Sequence, residues 1–217
     1  MQAICSPLGD QALVLSVGGR LSSQIDPQIN RALTVFAKHL ALDSFAGFVE
    51  ATPAYNSITI YFDLKQTRYK SVEAYVLYRW RGQSLDFSLE EQRLMEIPVV
   101  YDGQDLPNMA RHTGLRISEI IDLHAARIYR VYMMGFMPGF AYMGEVDPRI
   151  AIGRHATPRH RVEAGSVGIA GKQTGIYPLA SPGGWQIIGR TSLTLFDPSS
   201  PEPALLRAGD QIRFRAV

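Results

Sequence analysis

Two stretches decide how this chain is read: Gly135–Gly144, GFMPGFAYMG, and Glu163–Gly189, EAGSVGIAGKQTGIYPLASPGGWQIIG. The segment from Gly135 to Gly189 holds eleven of the nineteen glycines in the 217-residue sequence. Glycine weakens a strand unless the backbone must bend, turn with positive φ or lie close to something else. Here the glycines are interleaved with Phe, Tyr, Trp, Pro, Lys, Arg and Gln. That mixture predicts a tightly curved β structure with a lined concave surface. From Ile128 onward, apolar runs alternate with Gly and Pro, and no long helical period appears. Val131–Met134, Val167–Ile169, Gln186–Ile188, Leu193–Phe196 and Gln211–Phe214 read as short strands. Regular short strands with Gly-rich corners define a barrel or a sandwich.

Upstream, Leu94–Tyr101 reads as a strand, followed by two short helices. Leu106–His112 has Pro107 near its start; Ser118–Arg127 is read as capped by Ser118, with Glu119 in its first turn. Ser84–Gln92 is polar and reads as a linker. Residues 1–83 read as a small α/β unit. Gln11–Val17 is a strand, and Asp26-Pro27 is an N-cap with proline at the first helical position. Ile29, Leu33, Phe36 and Leu40 then fall on one helical face. Phe48–Glu50 and Ser57–Asp63 flank a turn around Pro53–Asn56, and Val72, Val76 and Trp80 mark a second helix. The order β-α-β-β-α predicts a ferredoxin-like layer of helices on an antiparallel sheet.

With 46% apolar residues, the chain can bury a real core, in one large domain or two small ones. A net charge of +2 does not support bulk binding of nucleic acid. The single cysteine, Cys5, excludes an intrachain disulfide. The N-terminus lacks a secretory pattern, and no apolar window approaches the roughly 20 residues needed to span a bilayer. The expectation is a cytoplasmic protein with no membrane partner.

Three sharper motifs fail on their mechanics. Five residues separate Gly165 from Gly171, where a P-loop needs four, and Gln173 replaces the Ser or Thr that holds magnesium. Ala164–Gly168 approximates a nucleophile elbow around Ser166. No helix can follow it, and no histidine occurs after His160. Leu106–Arg127 has the length of a helix-turn-helix, but Glu119 and Asp122 stand where phosphate would have to be met. The histidines lack ligand spacing, so no metal site is expected. What remains is the glycine-rich segment. Arg154, Arg159, Arg161, Lys172 and Arg190 surround it, and Phe136, Phe140, Tyr177 and Trp185 can wall it. Guanidinium groups and glycine N–H groups suit a small anion, or an acid carrying an amide.

GFMPGFAYMG and the run TPRHRVEAGSVGIAGKQTGIYPLASPGGWQIIGRT resemble a segment shared by three groups. These are the B component of bacterial ATP-dependent 5-oxoprolinase, the Kip-type inhibitor of a sporulation histidine kinase, and the first half of the carboxyltransferase region of urea carboxylase, also labelled allophanate hydrolase subunit 1. The resemblance extends to LGDQALVLSVG, IPVVYDG and LFDP, and so covers almost the whole chain. It implies an α+β protein, with a ferredoxin-like α/β domain over residues 1–88 and a cyclophilin-like β-barrel domain over residues 89–217. It implies a hydrolase subunit, inactive alone, that acts with subunits A and C to open 5-oxoproline to L-glutamate using ATP and Mg at the level of the assembled enzyme. A histidine kinase is the alternative partner, and half of a carboxyltransferase the further alternative. Arg159, Lys172 and Gln173 are the expected catalytic donors. Phe136, Phe140, Gly168, Gly171, Tyr177, Trp185 and Arg190 are the expected substrate-binding positions. Glu163 departs from the proline usual in the family's PAGSVGI run, and Lys172 from its more frequent residue there. A carboxylate at 163 can neutralise part of the cationic surface.

Overall fold

Ile58, Ile60 and Phe62 are buried while Tyr61 between them is exposed, the two-residue period of a strand with one face on a core. That alternation organises the first of two compact units, Met1–Glu91 and Gln92–Val217. The computed structural model describes residues 3–18, 25–82 and 93–217. The expected linker Ser84–Gln92 lies outside the described residues.

In the first unit, β1 (Ala3–Pro7), β2 (Ala12–Val17), α1 (Pro27–Leu42), β3 (Phe48–Pro53), β4 (Ser57–Phe62) and α2 (Tyr69–Gly82) follow one another. The strands form one antiparallel sheet in the order β1-β2-β4-β3. The Asp26 carboxylate accepts the N–H groups of Gln28 and Ile29, 2.8 and 3.3 Å away, so α1 starts where the Asp-Pro pair places it. Leu33, Phe36 and Leu40 of α1 and Val72 and Val76 of α2 pack on Leu13, Leu15, Ile58 and Ile60. Trp80 meets Phe36 edge-on at 5.3 Å. A ferredoxin-like plan closes with a strand after its second helix. Here β1 occupies the edge beside β2, so the unit is a four-stranded antiparallel sheet under two helices and not that plan read in chain order.

The second unit comprises β5 (Leu94–Val99), α3 (Leu106–Thr113), α4 (Ile117–Ala125), β6 (Ile128–Met134), β7 (Ala141–Gly144), β8 (Arg159–Val162), β9 (Ser166–Ala170), β10 (Gln173–Ile176), β11 (Ser181–Gly183), β12 (Gln186–Arg190) and β13 (Gln211–Ala216). Seven of its strands form a sheet in the order β12-β9-β10-β7-β6-β13-β5, with only β13 and β5 parallel. Its two edges meet. Val100, just after β5, and Arg190 of β12 exchange both backbone hydrogen bonds at 2.9 Å. The following loop continues the seam through Gly103 N–H to Ile188 O and Asp105 N–H to Ile187 O. The sheet is therefore a nearly closed barrel, which leaves few free edge groups. Closure needs bare backbone on both sides. A Cβ at Gly103 would lie 2.2 Å from the Ile188 carbonyl carbon, and one at Gly189 2.6 Å from the Val100 oxygen. β8 and β11 pair separately.

Leu193–Phe196 is not a strand: its one sheet contact is an isolated bridge, Phe196 to Ala204. Ser118 does not cap α4: the helix begins one residue earlier, and Glu119 accepts the Arg116 N–H at 2.8 Å. The strands β1, β7, β8, β10 and β11, of three to five residues each, were not anticipated. The helical hairpin α3–α4 is part of the barrel's core, with Met109 and Ile120 fully buried in it. No helix among the described residues is long and apolar enough to cross a membrane.

α4 also places His124 at the centre of that core. Thr174 donates its hydroxyl to the Gly168 carbonyl at 3.0 Å, so its oxygen must accept from His124 Nε2, 2.9 Å away. Nδ1 then accepts from the Tyr101 hydroxyl at 2.7 Å. This chain of hydrogen bonds is complete only with a neutral ring, and burial holds the imidazole pKa down at about 3.

Candidate functional site: an aromatic pocket on the barrel

Gly168 of β9 and Gly175 of β10 are directly paired. A Cβ at Gly168 would approach Trp185 Cβ to 3.2 Å, and one at Gly175 would lie 3.1 Å from ring atoms of both Phe140 and Trp185. The two bare positions give those rings a flat seat on the barrel wall. Phe140 and Trp185 meet edge-to-face at 5.4 Å, with Tyr177 5.5 Å and Tyr142 4.8 Å from Phe140. Gly183 is required beside them because a side chain there would start 2.4 Å from the Tyr177 oxygen. The rings enclose a cavity of about 210 Å³, completed by Phe136, Arg154, Pro158 and Pro182. Burial raises the hydroxyl pKa of both Tyr142 and Tyr177, so both stay neutral.

Phe136 forms the outer rim. Met137 N–H bonds to Gly135 O at 2.9 Å across it, and its φ is +69°. This is the geometry of the rare, strained γ-turn, in a region that bulky residues avoid. Its ring is 62% exposed and stands 5.5 Å from Phe140.

The cations around the segment are mostly neutralised. Arg159 donates to Asp105 at 2.5 Å and to the Trp185 carbonyl at 3.3 Å. Asp105 is buried, and its second oxygen accepts the Ile187 N–H at 2.6 Å. Arg161 pairs with Glu163, Arg190 with Asp102, and Lys172 approaches Glu145 to 3.8 Å. Arg154 differs. Its guanidinium carbon stands 5.9 Å over the Trp185 ring, and no carboxylate among the described residues lies within ion-pair distance.

The structure therefore sorts the residues singled out in the sequence. Phe136, Phe140, Tyr177 and Trp185 come together at the pocket, with Gly168 beneath them. Arg159, Gly171, Lys172, Gln173 and Arg190 do not line it. Arg159 is not a free donor: it holds a buried carboxylate in place, and its loss would leave Asp105 poorly compensated. Gly171 has φ +60° at the β9–β10 turn, with Lys172 exposed beside it and Gln173 opening β10. Arg190 sits at the barrel seam. Sequence reasoning missed Asp105 and Tyr142, and did not distinguish Arg154 from its neighbours. Asp105 and Arg159 are 54 residues apart, and Asp102 and Arg190 are 88 apart, so no local spacing signals the pairing.

The Gly165–Lys172 segment runs turn, strand, turn, and no helix N-terminus follows its glycines, so the phosphate cradle of a P-loop is not built here. Ser166 is buried at the start of β9, with no elbow. No group of three or more His, Cys, Asp or Glu able to hold a metal is assembled among the described residues.

The chain is thus an α+β protein whose nearly closed barrel carries this pocket. The chain belongs to the carboxyltransferase domain family, subdomain C and D, which matches residues 3–206. It is 40% identical over 220 residues to the B component of 5-oxoprolinase from Bacillus subtilis, covering 95% of this chain and 90% of that one. It is 43% identical over 220 residues to the protein of the same name from Escherichia coli O157:H7, covering 98% and 95% respectively. Among solved structures, TTHA0988 superposes with a TM-score of 0.84 at 36% identity over 95% of this chain, which spans 40% of the length of that one.

Proposed function

We propose that the chain is the B component of a 5-oxoprolinase, acts in a multi-subunit assembly with subunits A and C, and is inactive alone. The observation that carries this reading is the 40–43% identity to proteins named as that component, along nearly the full length of both sequences. The reaction opens a lactam, a poor electrophile, and ATP use at the level of the complex answers that difficulty. When bound, ATP would supply a phosphoryl group that turns the lactam oxygen into a leaving group. ATP and Mg are assigned to the assembly as a whole.

This chain contributes a walled pocket for the small molecule, formed by Phe136, Phe140, Tyr177 and Trp185. Lys172 and Gln173, at the β9–β10 turn, are the polar donors a partner surface would complete, with the turn's Gly168–Gly171 backbone behind them. Lys172→Ala then lowers turnover of the assembled enzyme by about 1.5–3 kcal/mol in transition-state energy, the worth of a charge-assisted hydrogen bond. The kinase-inhibitor and urea-carboxylase readings are not favoured: the urea amidolyases that match are 25–26% identical, against 40–43% for the 5-oxoprolinase components. The test is reconstitution: with A, C, ATP and magnesium, L-glutamate forms only when this chain is present. Undiminished glutamate formation in its absence removes the assignment.

A further inference from the structure

We infer that the aromatic pocket binds a small ring bearing a carboxylate, and that Arg154 is the residue that recognises the carboxylate. Three observations converge. The walls are mainly aromatic rings and prolines, which suit a compact ring. The cavity, about 210 Å³, is below the roughly 300–1,000 Å³ of pockets that take drug-sized ligands, which suits a compact guest. The one charge at its mouth is Arg154, which has no carboxylate partner among the described residues, while Arg159, Arg161 and Arg190 each hold a carboxylate of this chain.

Arg154 is also held in place before any ligand arrives. Ile152 O accepts from Gly171 N–H at 2.7 Å, Gly153 O from Gln186 Nε2 at 3.0 Å, and His155 N–H donates to Gly184 O at 2.7 Å. The backbone is thus tied on both sides of residue 154 to the β9–β10 turn and to Gly184 and Gln186, the residues that flank Trp185. The Trp185 ring beneath the guanidinium then keeps its fork at the pocket mouth, where a carboxylate can meet it. The inference deepens the proposed function, and it rests on that reading for the choice of 5-oxoproline as the ring.

The experiment is calorimetric titration of the full chain with L-5-oxoproline and with 2-pyrrolidone, the same ring without the carboxylate. The wild type binds 5-oxoproline more tightly than 2-pyrrolidone. Arg154→Ala weakens 5-oxoproline binding by about tenfold or more and leaves 2-pyrrolidone binding unchanged. Arg154→Lys, which keeps the charge but loses the fork, falls between. The inference is overturned if 5-oxoproline does not bind the full chain, if Arg154→Ala leaves its affinity unaltered, or if both ligands weaken equally. Displacement of 5-oxoproline by equimolar inorganic phosphate would reassign Arg154 to phosphate and also overturns it. A failed reconstitution alongside selective, Arg154-dependent binding would sink the proposed assignment and leave the pocket standing, so the two failures are distinguishable.

Discussion

The two units are built on opposite rules of substitution. The first is filled by large side chains: Leu33, Phe36, Leu40 and the alternating residues of β2 and β4 make its core, and its order comes from what those side chains bury. The second depends equally on where side chains are missing. Its barrel closes at Gly103 and Gly189, and its pocket rests on Gly168 and Gly175. Deletion threatens the first unit and addition the second. The difference teaches that a curved sheet is specified by its bare positions as much as by its core.

Five measurements break or sharpen that contrast. Phe36→Ala in the first unit removes a fully buried ring that also packs against Trp80, and costs about 3–5 kcal/mol in denaturant unfolding. Gly103→Ala adds one carbon to the barrel seam, 2.2 Å from backbone, and costs about 3 kcal/mol by the same assay. A loss below about 0.5 kcal/mol would mean the seam tolerates filling and the contrast fails.

His124→Gln tests the core by acid. The folded imidazole has a pKa near 3, below its ordinary 6.5. Between those values the unfolded chain binds a proton that the folded chain refuses. Stability is therefore intact above about pH 6.5 and falls as pH drops toward 3, by about 1.4 kcal/mol per pH unit for one proton. The variant is less stable at neutral pH but lacks this component of the slope. An unchanged slope would show that the ring is charged in the fold.

Gly175→Ala brings a carbon to 3.1 Å from Phe140 and Trp185 and to 3.0 Å from the Ala141 oxygen. About 1 kcal/mol of stability is lost, and the Trp185 emission shifts as the ring is lifted from its seat. Lys172→Ala touches only an exposed pair at 3.8 Å. It leaves unfolding within about 0.5 kcal/mol, so any loss of turnover in the assembled enzyme is chemical and not structural.

The first unit was legible because its signals are local. Asp26-Pro27 caps a helix within three residues, and alternation names the faces of β4. What escaped was β1, whose five residues, AICSP, carry no clean alternation and whose strand character comes from pairing with β2. In the second unit, glycine density announced curvature and the aromatic residues announced a wall. The strands β8, β10 and β11 are too short for periodicity to register. Arg159 reads in the sequence as a catalytic donor, and the sequence does not reveal that a buried carboxylate is bound to it. Charge counts do not say which cations are already answered, and Asp105 answers Arg159 from a loop far away in the chain. The same distance hid what sets Arg154 apart.

The tight turn at Phe136 carries a trade. Glycine would sit there more comfortably than any aromatic residue, because the backbone torsion suits a residue without a Cβ. An engineer seeking a hardier barrel would reach first for this position, and would thereby strip the ring from the pocket's mouth. Durability and grip are opposed at a single torsion angle.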